Sequence, residues 1–446
     1  MKIVIAGAGA VGTHLATMLS HQDHDIILLD SDEEKLKLID SHLDLLTVVG
    51  SCSSVHDLKE ANIKKADLFI AVTQSEETNI TSAIMAKKLG VPRTIARIDN
   101  QEYLVPENKE YLQSLGIDEL IYPERLAAKE VIAYLTRTGT RQLYEFSEGK
   151  LLMYGIKISR KSVIMDKTLA EVAQMTGDED YRAVAIKREN RTIIPRGHNR
   201  FTRGDLVYVV SKPEKVEQVM KLAGKQKYDI KNVMILGGSR IGQKTAQELG
   251  KELNVKLLEI DKEKSMKLAD LLPDTLVING DGRDMDLLRE EGIEKMDAFV
   301  AVTGNSETNI LACLLAQKMG VRKTIAEVEN IDYIDLAESI GVGTMINKKL
   351  VAASYIYRFT MDAEVKHFKC LTASDAEVIE LVAKAGSKIT KGPLKNLDFP
   401  EDANIGGVIR GDDSFVAKGD TQIQADDKVV VFTQPSAIRK VAKFFN

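Results

Sequence analysis

The stretch Lys2-Ile3-Val4-Ile5-Ala6-Gly7-Ala8-Gly9-Ala10-Val11-Gly12 decides how this chain is read. An apolar run, Ile3 to Ala6, leads into three glycines spaced G-x-G-x-x-G, and a second apolar run, Ile26 to Leu29, ends on an acid, Asp30. Strand, glycine turn, helix, strand and acid in that order form a dinucleotide-binding fingerprint. Gly7 allows the tight turn, Gly9 lets the backbone approach a pyrophosphate, and Gly12 lets the helix pack close to the sheet. The helix entered through Ala10 and Val11 presents free N–H groups and a partial positive charge to phosphates. Asp30 takes ribose hydroxyls and repels a 2′-phosphate, which favours NAD(H) over NADP(H).

Beyond Asp30, strand-like runs follow at Leu46–Val49, Leu68–Val72, Thr94–Ile98 and Glu119–Tyr122. Helical patterns lie between them, for example Asn79–Leu89 with apolar Ile80, Ala83, Ile84 and Leu89. Strands alternating with helices predict an α/β fold: a six-stranded, doubly wound parallel sheet covered on both faces.

The chain then repeats itself. Val233-Met234-Ile235-Leu236-Gly237-Gly238-Ser239-Arg240-Ile241-Gly242 matches the opening stretch, and Leu257-Leu258-Glu259 matches Leu28-Leu29-Asp30. Asp67-Leu68-Phe69-Ile70-Ala71-Val72-Thr73 returns as Asp297-Ala298-Phe299-Val300-Ala301-Val302-Thr303, and Glu77-Thr78-Asn79-Ile80 returns unchanged as Glu307-Thr308-Asn309-Ile310. Thr94-Ile95-Ala96 returns as Thr324-Ile325-Ala326; the offset is 230 residues throughout except at Leu257-Leu258-Glu259, where it is 229. Agreement at so nearly constant an offset marks a tandem duplication of a long unit.

Each unit has a second part. A helical stretch, Glu124–Arg137 or Lys348–Phe359, precedes shorter and more β-branched strand signals. These are Met153–Ile158, Ala183–Lys187, Thr192–Ile194 and Leu206–Val210 in the first copy, and Val378–Leu381, Ile405–Val408, Ser414–Ala417 and Lys428–Phe432 in the second. The expected division is therefore 1–123 and 230–347 as Rossmann-like domains, with 124–224 and 348–446 as crossover helix plus small α+β module. Lys225–Lys231 reads as the linker. Pro195-Arg196-Gly197, Gly204-Asp205, Lys418-Gly419 and Asp426-Asp427 read as turn punctuation, with a second effector pocket as the rival reading.

Composition narrows the function classes. The 446 residues carry 61 Lys+Arg against 66 Asp+Glu, a net charge of −5 with no long block of one sign, which argues against nucleic acid as a partner. The start runs directly into a strand, which argues against a secretion leader, and no apolar run approaches the roughly 20 residues of a spanning helix. Cys52, Cys313 and Cys370 are isolated, which points to a reducing compartment, small buried side chains and no zinc site.

In a doubly wound sheet, ligands sit outside the carboxyl ends of the strands where the strand order reverses. Thr73, followed by Gln74, and Thr303 fall there, either capping the next helix or offering a hydroxyl to phosphate or nicotinamide. Arg97 lies in the fifth strand run, near its end, where it pairs either with a phosphate or with a neighbouring carboxylate. Its counterpart is Glu327, so the two halves are not chemically equivalent. Ser239 replaces the second glycine of the repeated turn. Its Cβ is expected to resist a positive φ and the approach of a pyrophosphate, with Arg240 as a compensating phosphate ligand. The second half therefore either binds nucleotide or survives as a structural copy. Of the seven histidines, His14 lies nearest the glycine turn, on a helix where it faces solvent or packs. No catalytic constellation or metal-ligand spacing stands out. An NAD-dependent dehydrogenase with two Rossmann units is the rival function, and a redox-sensing repressor lacks a DNA-binding module.

The two glycine fingerprints, the paired D-x-F-[IV]-A-V-T and E-T-N-I segments and the small module after each resemble the TrkA family across essentially the whole chain. These are regulatory subunits of bacterial potassium uptake systems, built from tandem RCK (KTN) domains. The resemblance implies NAD(H) binding, commonly ATP or ADP binding too, and no catalysis. It implies a homo-oligomeric ring, dimer or tetramer, peripheral on the cytoplasmic face beneath a TrkH/TrkG-like membrane potassium transporter subunit. Cofactor contacts carry over to Gly7 through Val11, Asp30, Thr73, Gln74 and Arg97. Family members with a second basic residue shortly after the arginine differ from this chain, which has Asp99.

Overall fold

The computed structural model describes residues 1–20, 24–136, 143–177, 181–189, 191–225, 228–361, 365–371 and 376–446. The first sheet contains β1 (Lys2–Ala6), β2 (Asp25–Asp30), β3 (Leu46–Val49), β4 (Leu68–Ala71), β5 (Arg93–Arg97) and β6 (Glu119–Ile121) in the order β3-β2-β1-β4-β5-β6. Beyond Lys2 the central strands β1 and β4 are apolar because helices cover both faces: Ile3, Ile5, Leu68, Phe69, Ile70 and Ala71 are all fully buried. β1 pairs in parallel with both β2 and β4, which sets the reversal of strand order beside the Gly7 turn.

A small antiparallel sheet follows: β7 (Leu143–Phe146), β8 (Leu151–Lys157), β9 (Tyr181–Arg188), β10 (Arg191–Ile193) and β11 (Leu206–Ser211), in the order β10-β9-β11-β8-β7. The second half repeats both sheets. Its parallel sheet has β12 (Asn232–Leu236), β13 (Asn254–Glu259), β14 (Thr275–Asn279), β15 (Ala298–Ala301), β16 (Lys323–Glu327) and β17 (Thr344–Ile346) in the order β14-β13-β12-β15-β16-β17. Its small sheet has β18 (Val365–Cys370), β19 (Glu377–Val382), β20 (Ala403–Arg410), β21 (Asp413–Val416) and β22 (Lys428–Thr433) in the order β18-β19-β22-β20-β21. Each small sheet has five strands, one more than the strand signals indicated. β7 and β18 were not among those signals.

The helices Leu169–Thr176 and Val216–Leu222 of the first small module, and an ion pair in each module, escaped the periodicity reading. The helix Leu169–Thr176 begins with a capping box in which Thr168 and Glu171 satisfy each other's backbone N–H groups. The turn residue Asp205 is buried and accepts both Nε (2.9 Å) and Nη2 (2.8 Å) of Arg188. Asp427 and Arg410 make the same bidentate pair at 2.8 and 2.7 Å. The punctuation is thus also an electrostatic clamp across each sheet. The signal that would have revealed it is the equal spacing of arginine and aspartate in both copies.

The chain folds into two compact units, Met1–Leu126 with Lys348–Thr360, and Ala127–Asn347 with Met361–Asn446. Sequence order does not anticipate this grouping, because the crossover helices are exchanged. In the first unit, helix Lys348–Tyr357 buries Val351, Ala352, Ala353, Ile356 and Tyr357, and packs on helix Ala10–Ser20 of the first Rossmann domain. Nη1 of Arg93 donates to the Phe359 carbonyl at 3.1 Å. In the second unit, Ala127, Val131 and Tyr134 share one apolar cluster with Ile241, Ala246 and Leu249 of the second Rossmann domain. Each helix thus finds an apolar face on the domain of the opposite half. Among the described residues no helix is long and apolar enough to cross a membrane.

Candidate functional site

The first crevice is built at the carboxyl ends of β1, β2, β4 and β5. Gly7 turns at φ +111°, and a Cβ there would lie 2.8 Å from the Thr73 nitrogen. A Cβ on Gly12 would lie 1.9 Å from the Gly7 carbonyl oxygen, so the helix can start this close to the turn only with glycine. A Cβ on Gly9 meets no protein atom within 4 Å, so that side of the turn is open. Val11 is buried and Ala10 is exposed, which leaves main-chain N–H groups as what this helix start offers a phosphate. The Asp30 carboxylate closes the turn, accepting Ala8 N–H on Oδ2 and Asp32 N–H (2.9 Å) on Oδ1.

Thr73 does not cap the following helix: Ser75 does, its side chain accepting from the Thr78 N–H. The hydroxyl and N–H of Thr73 both donate to Oδ1 of Asn79, at 2.7 and 2.8 Å, while Nδ2 of Asn79 donates to the Arg97 carbonyl at 3.0 Å. One buried amide therefore ties the end of β4 to the end of β5. Asn309 does the same in the second half, accepting from Thr303 N–H (3.0 Å) and hydroxyl (2.7 Å) and donating to the Glu327 carbonyl at 2.9 Å. There Asn305, not Thr303, is the helix cap. The asparagines were visible as part of the repeated E-T-N-I segment, but their role depends on strands distant in sequence. Gln74 is exposed at the rim. Arg97 reaches the crevice with a carboxylate already on it, Nη2 lying 3.1 Å from Asp99 Oδ1.

The second crevice is open, a cavity of about 370 Å³ lined by the Gly237–Ser239 turn, Glu259, Lys264, Asp281–Arg283 and Thr303. The expected strain at Ser239 is absent. Its φ is −63°, and its hydroxyl oxygen caps the helix by accepting the Gly242 N–H. The glycine turn takes its positive φ at its first residue, Gly237 at +104°, and position three is extended. Gly242 repeats the close contact, with 2.1 Å from a built Cβ to the Gly237 oxygen. Ile241 is buried and Arg240 is exposed. Glu259 is buried; it accepts Gly238 N–H and Asp261 N–H, each at 3.0 Å, and pairs with Lys264 at 2.7 Å. Burial alone would raise its pKa, but the Lys264 ammonium and those two N–H groups outweigh it and hold the carboxyl below its ordinary value. Arg283 adds a guanidinium on Asp281 at 2.7 Å. The acid of this crevice is therefore charge-compensated.

His14 is half-buried on its helix, and burial lowers its pKa. The Cys52 and Cys313 thiols are buried and pushed up to about 12, chiefly by desolvation. The Cys370 side chain, Arg137 and part of the linker, residues 226–227, lie outside the described residues.

Two tandem units, each a Rossmann-like domain with a glycine-turn crevice followed by a small antiparallel module, define a protein of the RCK type. Family models agree in order and position: the TrkA-N domain matches residues 3–123 and 233–348, and the TrkA-C domain matches 153–224 and 378–446. The chain belongs to the TrkA family. It is 33% identical to the Trk system potassium uptake protein TrkA homolog 1 of Methanosarcina mazei, over 100% of each chain. It is 32% identical to the Trk system potassium uptake protein TrkA of Haemophilus influenzae, over 100% of this chain and 98% of that one. A solved structure of the GsuK channel bound to NAD shares the fold at a TM-score of 0.60 and 15% identity, over 100% of this chain and 78% of that one.

Proposed function

We propose that this chain is the nucleotide-sensing regulatory subunit of a potassium uptake transporter, with NAD(H) as the ligand of the first crevice and no bond-making role. The observation that carries this reading is the paired glycine turn with its acid bracket, Gly7 to Asp30, combined with the open side of Gly9. Gly7 through Val11 would hold a pyrophosphate on main-chain N–H groups, and Asp30 would take ribose hydroxyls. The second crevice, where Lys264 and Arg283 neutralise the acids, suits a more anionic ligand such as ATP or ADP. Family membership and the NAD-bound GsuK relative support the assignment.

A bound nucleotide does work only through a difference in affinity between two arrangements. About 1–3 kcal/mol per site is typical, and a homo-oligomeric ring on the cytoplasmic face of the membrane would multiply that leverage on a TrkH/TrkG-like subunit. The exchanged helices, Pro123–Thr136 and Lys348–Tyr357, suit this purpose because each links a crevice-bearing domain of one half to the other half.

The test is NADH titration calorimetry on the full-length protein together with potassium uptake in cells expressing a membrane subunit. Asp30→Ala and Gly9→Glu should abolish NADH binding and its effect on flux while the protein still folds. Uptake indifferent to both changes, or steady consumption of NADH with a metabolite, overturns the reading.

A further inference from the structure

The first small module holds a cavity of about 420 Å³ between its sheet and its two helices, Leu169–Thr176 and Val216–Leu222. Its walls are mainly aliphatic, with Ile156, Val207 and Val209 on the sheet and Val172, Val219 and Leu222 on the helices, and Tyr181 and Phe201 beside them. Residues Val416–Lys418 of the second small module close one side.

The internal duplication supplies a control, because the two modules align at an offset of 222 residues, as Arg188–Asp205 and Arg410–Asp427 do. Ala183 pairs with Val209 across the first sheet, and Ile405 pairs with Val431 at the equivalent position of the second. Ala223 ends the first module's last helix, and the equivalent residue is Phe445. Ile405 and Phe445 are both buried. Side chains that fill the core of one copy are thus reduced to methyl groups in the other. An aliphatic core left open to this extent forfeits the close packing that stabilises its twin.

Charge differs between the copies as well. Arg182 lines the cavity where the second module has Asn404. Nη1 of Arg182 donates to the Ala417 carbonyl at 2.6 Å, and Arg196 lines the same rim. Among the described residues no carboxylate pairs with either guanidinium. Burial, and then the like charge of Arg196, lowers the Arg182 pKa. Two cations side by side at the edge of an apolar cavity, with no carboxylate paired to them among the described residues, match an anion with an apolar tail.

We propose that this cavity binds a medium-chain aliphatic carboxylate, its tail among the aliphatic walls and its carboxylate on Arg182 and Arg196. Because Val416–Lys418 border the same cavity, the ligand bridges the two small modules and makes their contact responsive to a metabolite. The site is separate from both nucleotide crevices and does not depend on their occupancy.

Titration of the full-length protein with decanoate below its micelle concentration, followed by calorimetry, tests this. Saturable binding of one decanoate per chain is expected. Ala223→Phe and Ala183→Ile, which install the second module's residues, should each weaken it at least tenfold. Arg182→Asn should weaken decanoate at least tenfold while leaving the weak binding of decanol unchanged. Circular dichroism and NADH binding establish that each variant is folded, and Ala183→Val replaces any that is not. The proposal is overturned by absence of saturable binding to the wild type, by equal affinity for decanol and decanoate, or by folded cavity-filling variants that bind as the wild type does.

Discussion

Asp99 holds Arg97: its Oδ1 accepts from the Arg97 Nη2 at 3.1 Å, and the Glu124 carboxylate lies 4.0 Å from the same nitrogen. Both members of the Arg97–Asp99 pair keep only about a fifth of their side-chain surface exposed, 20% and 23%. The sequence left open whether Arg97 meets a phosphate or a carboxylate; in this structure it meets the Asp99 carboxylate. A polyphosphate reaching this strand end must compete with that ion pair. Replacing Asp99 by Asn removes the competing charge, so ATP affinity at the first crevice should rise roughly three- to tenfold, the range of a partly exposed charge interaction. NADH affinity should change much less. Calorimetry with both nucleotides decides, and an unchanged ATP affinity would mean that Arg97 plays no part in phosphate recognition.

Substitutions at Gly9 and Gly12 are expected to separate ligand contact from folding. Gly12→Ala drives a methyl group into the Gly7 carbonyl and should lower stability by roughly 1–3 kcal/mol, as overpacking does. Gly9→Ala meets no protein atom, so its melting temperature should match the wild type while NADH binds more weakly. Thermal denaturation alongside NADH titration tests the pair. Equal destabilisation by both would refute the division of roles.

Glu377, buried on β19 with no hydrogen-bond partner for Oε2 among the described residues, has its carboxyl pushed up to about 8 by desolvation. In the unfolded chain the same group titrates near its ordinary value of 4.5. Between those values the folded protein binds the extra proton, so stability is complete below about pH 4.5 and falls as pH rises through 8. The slope approaches about 1.4 kcal/mol per pH unit within that window. Glu377→Gln, neutral at all pH, should flatten the profile. Denaturant melts at intervals from pH 5 to 9 would reveal it, and identical profiles for the two proteins would count against a protonated Glu377.

The exchange of crossover helices predicts the behaviour of a truncated chain. A protein ending at Gly224 lacks Lys348–Thr360, and with it the cover over helix Ala10–Ser20. Its own helix Pro123–Thr136 loses the apolar face it uses in the second Rossmann domain. Two such chains can satisfy both faces reciprocally, so a dimer is expected from light scattering. A monomer as stable as the first unit of the intact chain would show that the exchanged contacts contribute little.

Breaking the Arg188–Asp205 clamp should be costly, because Asp205 is 1% exposed and receives four hydrogen bonds from Arg188 and Thr202. Arg188→Ala leaves that carboxylate with only the two Thr202 donors and should cost about 1–3 kcal/mol, less than for a fully buried pair because the Arg188 side chain is 38% exposed. Urea titration of the variant measures this, and a loss within ~0.5 kcal/mol would place the pair among ordinary surface ion pairs.

Local chemistry made much of this protein legible in advance. Gly7, Asp30 and the alternation of short apolar runs with helices specify a parallel sheet, because a strand buried on both faces and a turn needing φ above zero leave few residue choices. The identity of the two halves specifies two such crevices. The Thr168–Glu171 capping box and the arginine–aspartate spacing are also written in the sequence. What only tertiary structure decided is which groups meet in space: Asn79 tying the Thr73 hydroxyl to the Arg97 carbonyl, Asp99 taking Arg97, Ser239 resting in extended backbone, and each crossover helix docking on the opposite half. A helix periodicity says that one face will be covered; it carries no information about which of two equivalent apolar surfaces will cover it. That choice, like the cavity left beside Ala183 and Ala223, depends on volumes and distances that exist only after the chain has folded.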